Sequence, residues 1–324
     1  MVQLEQASTV SRADCEIRRK VFHHSPIKKL PYIPGCDMVG SIVKVGKKVH
    51  GMFAGDRVAA IGLNIGGNSQ YIIIGSQSLV SIPSSMEAVD VVCLLQSYVA
   101  AYQCLHRAGT RRYDLLGKRI LVTGGCGRIG QAVVQLAQVA GAKKIYATGG
   151  DLECKHLLET IGAKNLNRDP QEWLPVVEGK MDLVVDTVFL GRCDSCYKAL
   201  NRTGKLVCVG SASALTGAAF PSIHSLLSHV HHLIAKIQKP NQTVFYDLFE
   251  SYQERPDIYE KDLQELFSLL RKGLIQPSIS ACIPLHNVSQ AHENIEEGGV
   301  HGAVICLPLG RHPERLIEKI IAKV

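Results

Sequence analysis

The sequence predicts an α/β protein whose middle half forms a doubly wound parallel sheet with helices on both faces. Two observations carry this. Short apolar runs rich in β-branched residues alternate with stretches whose apolar residues recur at helical spacing. A cluster of glycines sits at the first run-to-helix junction. A chain of 324 residues, 46% hydrophobic and 20% charged, has ordinary globular composition and room for two compact domains.

The elements follow in order. Arg119 to Thr123 reads as a short buried strand, and Gln131 to Ala140 follows with Val133, Leu136, Ala137 and Ala140 on one helical face. Lys144 to Thr148 is the next strand, Asp151 to Ile161 the next helix, then Asp182 to Asp186 and Lys205 to Val209 as further strands. Strands that must be joined through helices run parallel and are covered on both sides. A last strand, Thr243 to Phe249, precedes a helix from Glu260 to Lys272 with Leu263, Leu266, Phe267 and Leu270 on one face, and Gly273 stops it.

The first strand runs into Gly124-Gly125-Cys126-Gly127-Arg128-Ile129-Gly130 and then into a helix. Gly125, Gly127 and Gly130 make G-x-G-x-x-G in the strand-turn-helix context that the dinucleotide-binding Rossmann fold requires. The first glycine permits the tight turn, the second lets backbone approach a pyrophosphate, and the third lets helix pack on strand. The free N–H groups and dipole at the helix start favour the phosphates. Cofactor choice falls at the end of the second strand, where an acid would hold a ribose 2′-hydroxyl. Here Thr148-Gly149-Gly150 leaves that tip without one, and Lys155 follows a turn later, a pattern that suits the 2′-phosphate of NADPH better than NADH, although Asp151 opposes it. Thr187, Val188, Gly210 and Ser211, just past the next two strands, complete the candidate cofactor residues.

Other classes are disfavoured. A formal net charge of +7 is spread along the chain rather than gathered into a basic block, so nucleic acid is not expected. No apolar run reaches the roughly 18 to 20 residues of a membrane span, and Met1 to Glu5 do not begin a signal peptide, so the chain reads as cytoplasmic. Eleven cysteines at irregular spacing, several in apolar runs (Cys93, Cys208, Cys306), fit reduced core thiols rather than a disulfide framework.

The runs Pro34-Gly35-Cys36-Asp37-Met38-Val39-Gly40, Val45-Gly46, Gly55-Asp56-Arg57-Val58, the Gly124 to Gly130 turn, Leu200 to Gly204 with Val209-Gly210, and Gln290-Ala291-His292 to Gly302 together resemble medium-chain dehydrogenase/reductases, from about Val2 to Leu309. The resemblance implies a GroES-like, β-rich catalytic domain over residues 1–92, completed by residues 256–310. It also implies a Rossmann NADP-binding domain over residues 93–255, with residues 311–324 as a helical extension. It implies, further, a substrate held between the domains and a homodimer formed through the strand Thr243 to Phe249.

Zinc-dependent relatives hold their catalytic metal with a cysteine, a histidine and a cysteine. The matching positions here are Ser11, Cys36 and Gln96, and the segment Ala59 to Ser69 lacks the cysteines of a structural zinc loop. The resemblance therefore points to the zinc-free quinone-reductase-like and enoyl-reductase-like branch. In that branch hydride passes directly from NADPH to a quinone, enone or other α,β-unsaturated carbonyl, and the protein chiefly orients the partners. Ser11 and Tyr98, by family position, are the candidate donors to a substrate oxygen; each is equally read as a packed bystander. An alcohol dehydrogenase is a distant alternative for want of zinc ligands.

Departures from the family pattern keep a second function open, a catalytically decayed dinucleotide-binding protein with a structural or sensory role. The resemblance implies that the chain begins inside the catalytic domain, as a fragment or from a misplaced start. A tyrosine that active relatives carry is replaced in the stretch Lys20-Val21-Phe22, and Arg128 stands where a small residue is common, either pairing with phosphate or crowding the cofactor. Cys193-Asp194-Ser195-Cys196 and the cluster His229, His231 and His232 lack the partners of a metal site and read as structural. The tail, with Pro313 at a helix start and Leu316, Ile317, Ile320 and Ile321 on one stripe, reads as a packing helix rather than a membrane anchor.

Overall fold

The computed structural model describes residues 2–19, 31–63, 65–106, 114–188, 193–209 and 243–309. The stretch Lys20, Val21 and Phe22, the pair Gly210 and Ser211, the histidines 229, 231 and 232, and the tail from residue 311 lie outside them. The described residues divide into two units: residues up to 96 together with those from Ile279 onward, and residues 97–278.

The second unit is built on a six-stranded sheet in which every pairing is parallel. Its strands are β6 (Arg119–Thr123), β7 (Lys144–Thr148), β8 (Lys164–Leu166), β9 (Met181–Asp186), β10 (Leu200–Val209) and β11 (Thr243–Tyr246). The order β11-β10-β9-β6-β7-β8 places the chain reversal between β6 and β9, the doubly wound order of the Rossmann fold. Continuous apolar runs make this sheet because both faces are covered: Ile120, Leu121, Val122, Val184, Val185, Leu206 and Val207 are wholly or almost wholly buried.

Crossover helices α4 (Arg128–Val139), α5 (Leu152–Thr160), α6 (Pro170–Val177) and α7 (Asp194–Ala199) cover it. On one face Trp173, Val177, Tyr197 and Leu200 close over Leu121, Val184 and Leu206, each large apolar side chain contributing about 1.5 to 3 kcal/mol by burial.

Two boundaries differ from the sequence expectation. β11 stops at Tyr246 instead of reaching Phe249, because Asp247 accepts hydrogen bonds from Phe249 N and Glu250 N and caps α8 (Leu248–Glu254). Helix α9 (Pro256–Arg271) starts on a proline and belongs with the second unit, so the chain re-enters the first unit at Ile279 rather than at residue 256. A buried hydrogen bond from Gln103 Nε2 to Asp262 Oδ2, 2.9 Å, ties α9 to α3 (Val99–His106), and Gln103 Oε1 accepts from Tyr246 and Ser251.

A continuous helical stretch, Ala88–His106, runs through α2 (Ala88–Cys93), a π-helical turn at Leu94–Tyr98 and α3. It corrects the expectation that no apolar run is long enough for a membrane. Its 19 residues and hydropathy of 1.4 meet that test, but 78% of the window is buried inside the protein, and packing accounts for its composition.

The first unit carries a mixed sheet in the order β12-β13-β1-β2-β3-β5, with β4 also paired to β1. The strands are β1 (Val2–Val10), β2 (Asp37–Ile42), β3 (Arg57–Ile61), β4 (Tyr71–Ile72), β5 (Val80–Ser81), β12 (Ile279–Pro284) and β13 (Ala303–Leu307). β1 is antiparallel to β2 on one side and to β13 on the other, so both ends of the described chain build one sheet. Met38, Ile42, Val58, Ala60 and Ile72 form one core, and Val10, Val304 and Cys306 a second beneath α10 (Val288–Glu297). Helix α1 (Arg12–Arg18) begins on a capping box in which Ser11 and Asp14 bond reciprocally.

Candidate dinucleotide site

The turn after β6 has the geometry of a phosphate cradle. Gly125 N donates to Thr148 O (2.9 Å) and Gly127 N to Gly124 O (3.1 Å). Gly124 N donates to Thr148 Oγ1 (3.0 Å), so Thr148, buried at the end of β7, braces the turn from beneath. Gly124 adopts φ +66 beside the Thr187 hydroxyl and the Val188 side chain, which excludes any Cβ there. A Cβ on Gly130 would overlap the Gly124 carbonyl oxygen and stand 2.8 Å from Gly125 Cα, and one on Gly125 would stand 2.7 Å from Ala147 Cβ. These contacts are the physical content of the motif. Helix α4 opens on Gly127 without a side-chain cap, which leaves its first N–H groups for an anion. Ile129 is half-buried in the first turn, and Arg128 Nε donates to Ser97 Oγ at 3.1 Å.

At the β7 tip, Gly149 N donates to Leu166 O (2.9 Å). Asp151, an acid that sequence reasoning set against NADPH, is spent as the N-cap of α5, accepting from Cys154 N at 2.7 Å. Lys155 is exposed on α5. Sequence reasoning missed Arg168, which comes from the loop after β8. Its Cδ, Cζ and Nε lie 3.2 to 3.3 Å from where a Cβ on Gly150 would stand, so its guanidinium lies along the open tip. The signal for it was a basic residue after the third strand, too far along the chain to be tied to the second strand's end without the fold.

At the β9 end, buried Asp186 accepts from Thr123 Oγ1 (2.5 Å) and Val188 N (3.0 Å), while Thr187 Oγ1 donates to Thr123 O (2.8 Å). Thr187 and Val188 are thereby fixed beside Gly124 at the switch point.

The expectation of reduced thiols throughout is corrected at one place: Cys126, inside the glycine turn, and Cys154, in the first turn of α5, form a disulfide. The other nine cysteines are not in disulfides. The pair Cys193 and Cys196 has no ligand geometry. Cys193 Sγ lies 4.0 Å from Cys208 Sγ, and Cys196 Sγ donates to Asp186 Oδ2 at 3.5 Å. Burial pushes the Cys196 and Cys208 thiols well above their ordinary range, so neither is a ready nucleophile.

In the first unit the positions matching a catalytic zinc set are otherwise engaged. Ser11 Oγ donates to Asp14 Oδ2 (2.6 Å), Cys36 Sγ donates to Asp14 Oδ1 (3.3 Å), and Gln96 Nε2 donates to Asp37 Oδ2 (2.5 Å). Asp37 also holds Thr9 through its N–H and hydroxyl, each at 2.6 Å. A hydroxyl, an amide and one thiol committed to carboxylates do not fit zinc. Ser11, as a helix cap, has its hydroxyl fully engaged. Tyr98 closes the π-helical turn and is 3% exposed.

The comparisons with known proteins agree with this geometry. The family described as alcohol dehydrogenase GroES-like domain matches residues 3–102, and the family described as zinc-binding dehydrogenase matches residues 161–305. Human quinone oxidoreductase is 24% identical over 308 residues, covering 93% of this chain and 87% of that protein. A 2-methylene-furan-3-one reductase of Solanum lycopersicum is 33% identical over 203 residues, covering 59% of this chain and 48% of the relative. Among solved structures, a mycobacterial protein complexed with NADPH superposes with a TM-score of 0.78 at 20% identity, covering 95% of this chain and 91% of that one.

Proposed function

Because the chain belongs to the quinone oxidoreductase-like branch of the medium-chain dehydrogenase/reductase superfamily, an NAD(P)H-dependent oxidoreductase group, we propose that it reduces a quinone, enone or other α,β-unsaturated carbonyl with NADPH and without zinc. The observation that carries the reading is the Gly124 to Gly130 turn, braced on Thr148 and opening onto the uncapped start of α4 at the switch point between β6 and β9.

Bound there, the nicotinamide cofactor supplies a hydride to an electron-poor carbon. The chain's own part is binding and orientation. The backbone of the turn and the α4 N-terminus hold the pyrophosphate, and Gly125 and Gly130 keep the backbone close enough to do so. Arg168, together with Lys155, takes the 2′-phosphate above Gly150, and Asp151 leaves that position because it caps α5. Positioning rather than a single acid carries the rate, in keeping with a Ser11 hydroxyl that is spent on its cap. Zinc independence is supported by the engagement of Ser11, Cys36 and Gln96 with Asp14 and Asp37. We place the protein in the cytoplasm, as a dimer paired through the edge strand β11.

The test is fluorescence titration with NADPH and NADH, followed by NADPH oxidation against a panel of quinones and enones with and without a strong zinc chelator. Tighter binding of NADPH and chelator-insensitive turnover are expected. Binding without any turnover favours the non-catalytic reading, which the engaged Ser11 hydroxyl also fits; no binding of either nucleotide overturns both.

A further inference from the structure

We infer that Cys126 and Cys154 are a reversible dithiol–disulfide pair that gates dinucleotide binding, with small-molecule disulfides as the oxidising class. The inference rests on the cofactor reading and adds a covalent control to the same site.

Placement comes first. Cys126 lies between Gly125 and Gly127, in the turn after β6, and Cys154 lies in the first turn of α5, just after β7. Their bond closes a sequence separation of 28 residues and ties together the two strand-to-helix turns that border the ribose end of the proposed groove. The Cα atoms stand 5.7 Å apart, within the range a disulfide accepts without backbone movement. Both cysteines are anchored: Gln131 Nε2 donates to Cys126 O and Cys154 N donates to Asp151 Oδ1, each at 2.7 Å. The Cys154 sulfur also fills the space that glycine leaves at position 149, at the tip of β7.

This pair differs from the other thiols of its unit in place rather than in burial. Cys104, Cys196 and Cys208 are buried where desolvation pushes their thiols well up. Cys126 and Cys154 are buried as well, at 7% and 1% exposure, but Cys126 lies within the turn that opens onto the start of α4, where an anion is to be held. Disulfides in a reducing compartment are transient or sensing rather than structural.

The chemistry balances without metal or cofactor. A thiolate of the pair attacks a small disulfide, expels one thiol and forms a mixed disulfide; the second thiolate displaces the second thiol and closes the Cys126–Cys154 bond. The protein loses two electrons and the small disulfide gains them, leaving as two thiols with the two protons. The direction of the gate follows from geometry. The bond joins the turn after β6 to the first turn of α5. Oxidation therefore fixes the two turns to each other, and reduction leaves them free to adjust around ribose and pyrophosphate. By linkage, bound NADPH must in turn retard closure of the bond.

The experiment measures NADPH affinity of the whole chain equilibrated in reduced and in oxidised glutathione, with disulfide mapping by mass spectrometry and with C126S and C154S in parallel. We expect a Cys126–Cys154 linked peptide in the oxidised sample. Affinity should weaken on the order of tenfold on oxidation, the serine variants should bind alike in both buffers, and saturating NADPH should slow oxidation. Absence of the linked peptide overturns the inference, as does its presence with unchanged affinity. Failure to bind NADPH in either buffer sinks the cofactor reading and the gate together, and the mapping then still reports whether the bond forms.

Discussion

Arg168 turns the choice of cofactor into a single-residue question. A guanidinium lying against a glycine at the strand tip matches the geometry of a phosphate monoester, whereas an ammonium one helical turn away acts only as a point charge. Because Arg168 is exposed, the contact is worth about 1 kcal/mol rather than the full value of a buried charged hydrogen bond. Arg168→Ala should weaken NADPH binding about fivefold and leave NADH binding unchanged in a fluorescence titration, and Lys155→Ala should have a smaller effect. Equal losses for both nucleotides would show that Arg168 only holds the loop. The glycine turn was legible in the sequence because part of its constraint is local: Gly130 is fixed by Gly124 and Gly125, whereas Gly124 faces Thr187 and Val188 at the end of β9. Arg168 and the Cys126–Cys154 pair were not, because β7, α5 and β8 must pack before either meets the turn.

At the scale of elements, α1 and α10 pack together in the first unit, and the pairing has a pH signature. His292 of α10 is 3% exposed, and its Nε2 is a buried atom without a hydrogen-bond partner. Burial lowers its pKa below 6.5; Asp14 and Glu296 pull the other way, and Arg18 adds to the lowering. The unfolded chain therefore binds a proton that the folded chain resists. Stability is retained above about pH 6.5 and is lost as pH falls below it, by at most about 1.4 kcal/mol per pH unit. His292→Gln should narrow the difference in melting temperature between pH 7.5 and pH 5.5, and an undiminished difference would assign the acid sensitivity elsewhere. Element by element, long apolar strands such as β6 and β7 were readable from pattern alone. β8, three residues long, was too short to show a period, and α9 was assigned to the wrong unit because its apolar face does not say which neighbour covers it. The Gln103–Asp262 bond ties it to α3.

For the molecule as a whole, the strand order says where self-association can occur. Among the described residues β11 pairs on one side, with β10, and its four residues are all half-buried. An uncharged edge of this kind invites another strand. Wild-type protein should sediment as a dimer, and Val244→Lys, which places a charge on that edge, should shift it to monomer with cofactor affinity retained; an unshifted mass would place the interface elsewhere. Which fold the chain takes was legible because alternation of strand and helix is a property of the whole middle segment. Where one unit stops and the other resumes was less so, since the crossing lies inside a single helical stretch, between Gln96 and Ser97, without a break in the helix.

The placement of β13 beside β1 also carries a consequence for biosynthesis. A ribosome releases residues 97–278 as one uninterrupted segment, so that unit can fold as soon as it emerges. β1 is made before it and has to wait for Ala303–Leu307 before Ser8, Thr9 and Val10 are paired on the β13 side. For most of translation the nascent first unit therefore displays an unfinished sheet, the kind of surface that chaperones recognise, and the last described strand to be synthesised is the one that ends that exposure.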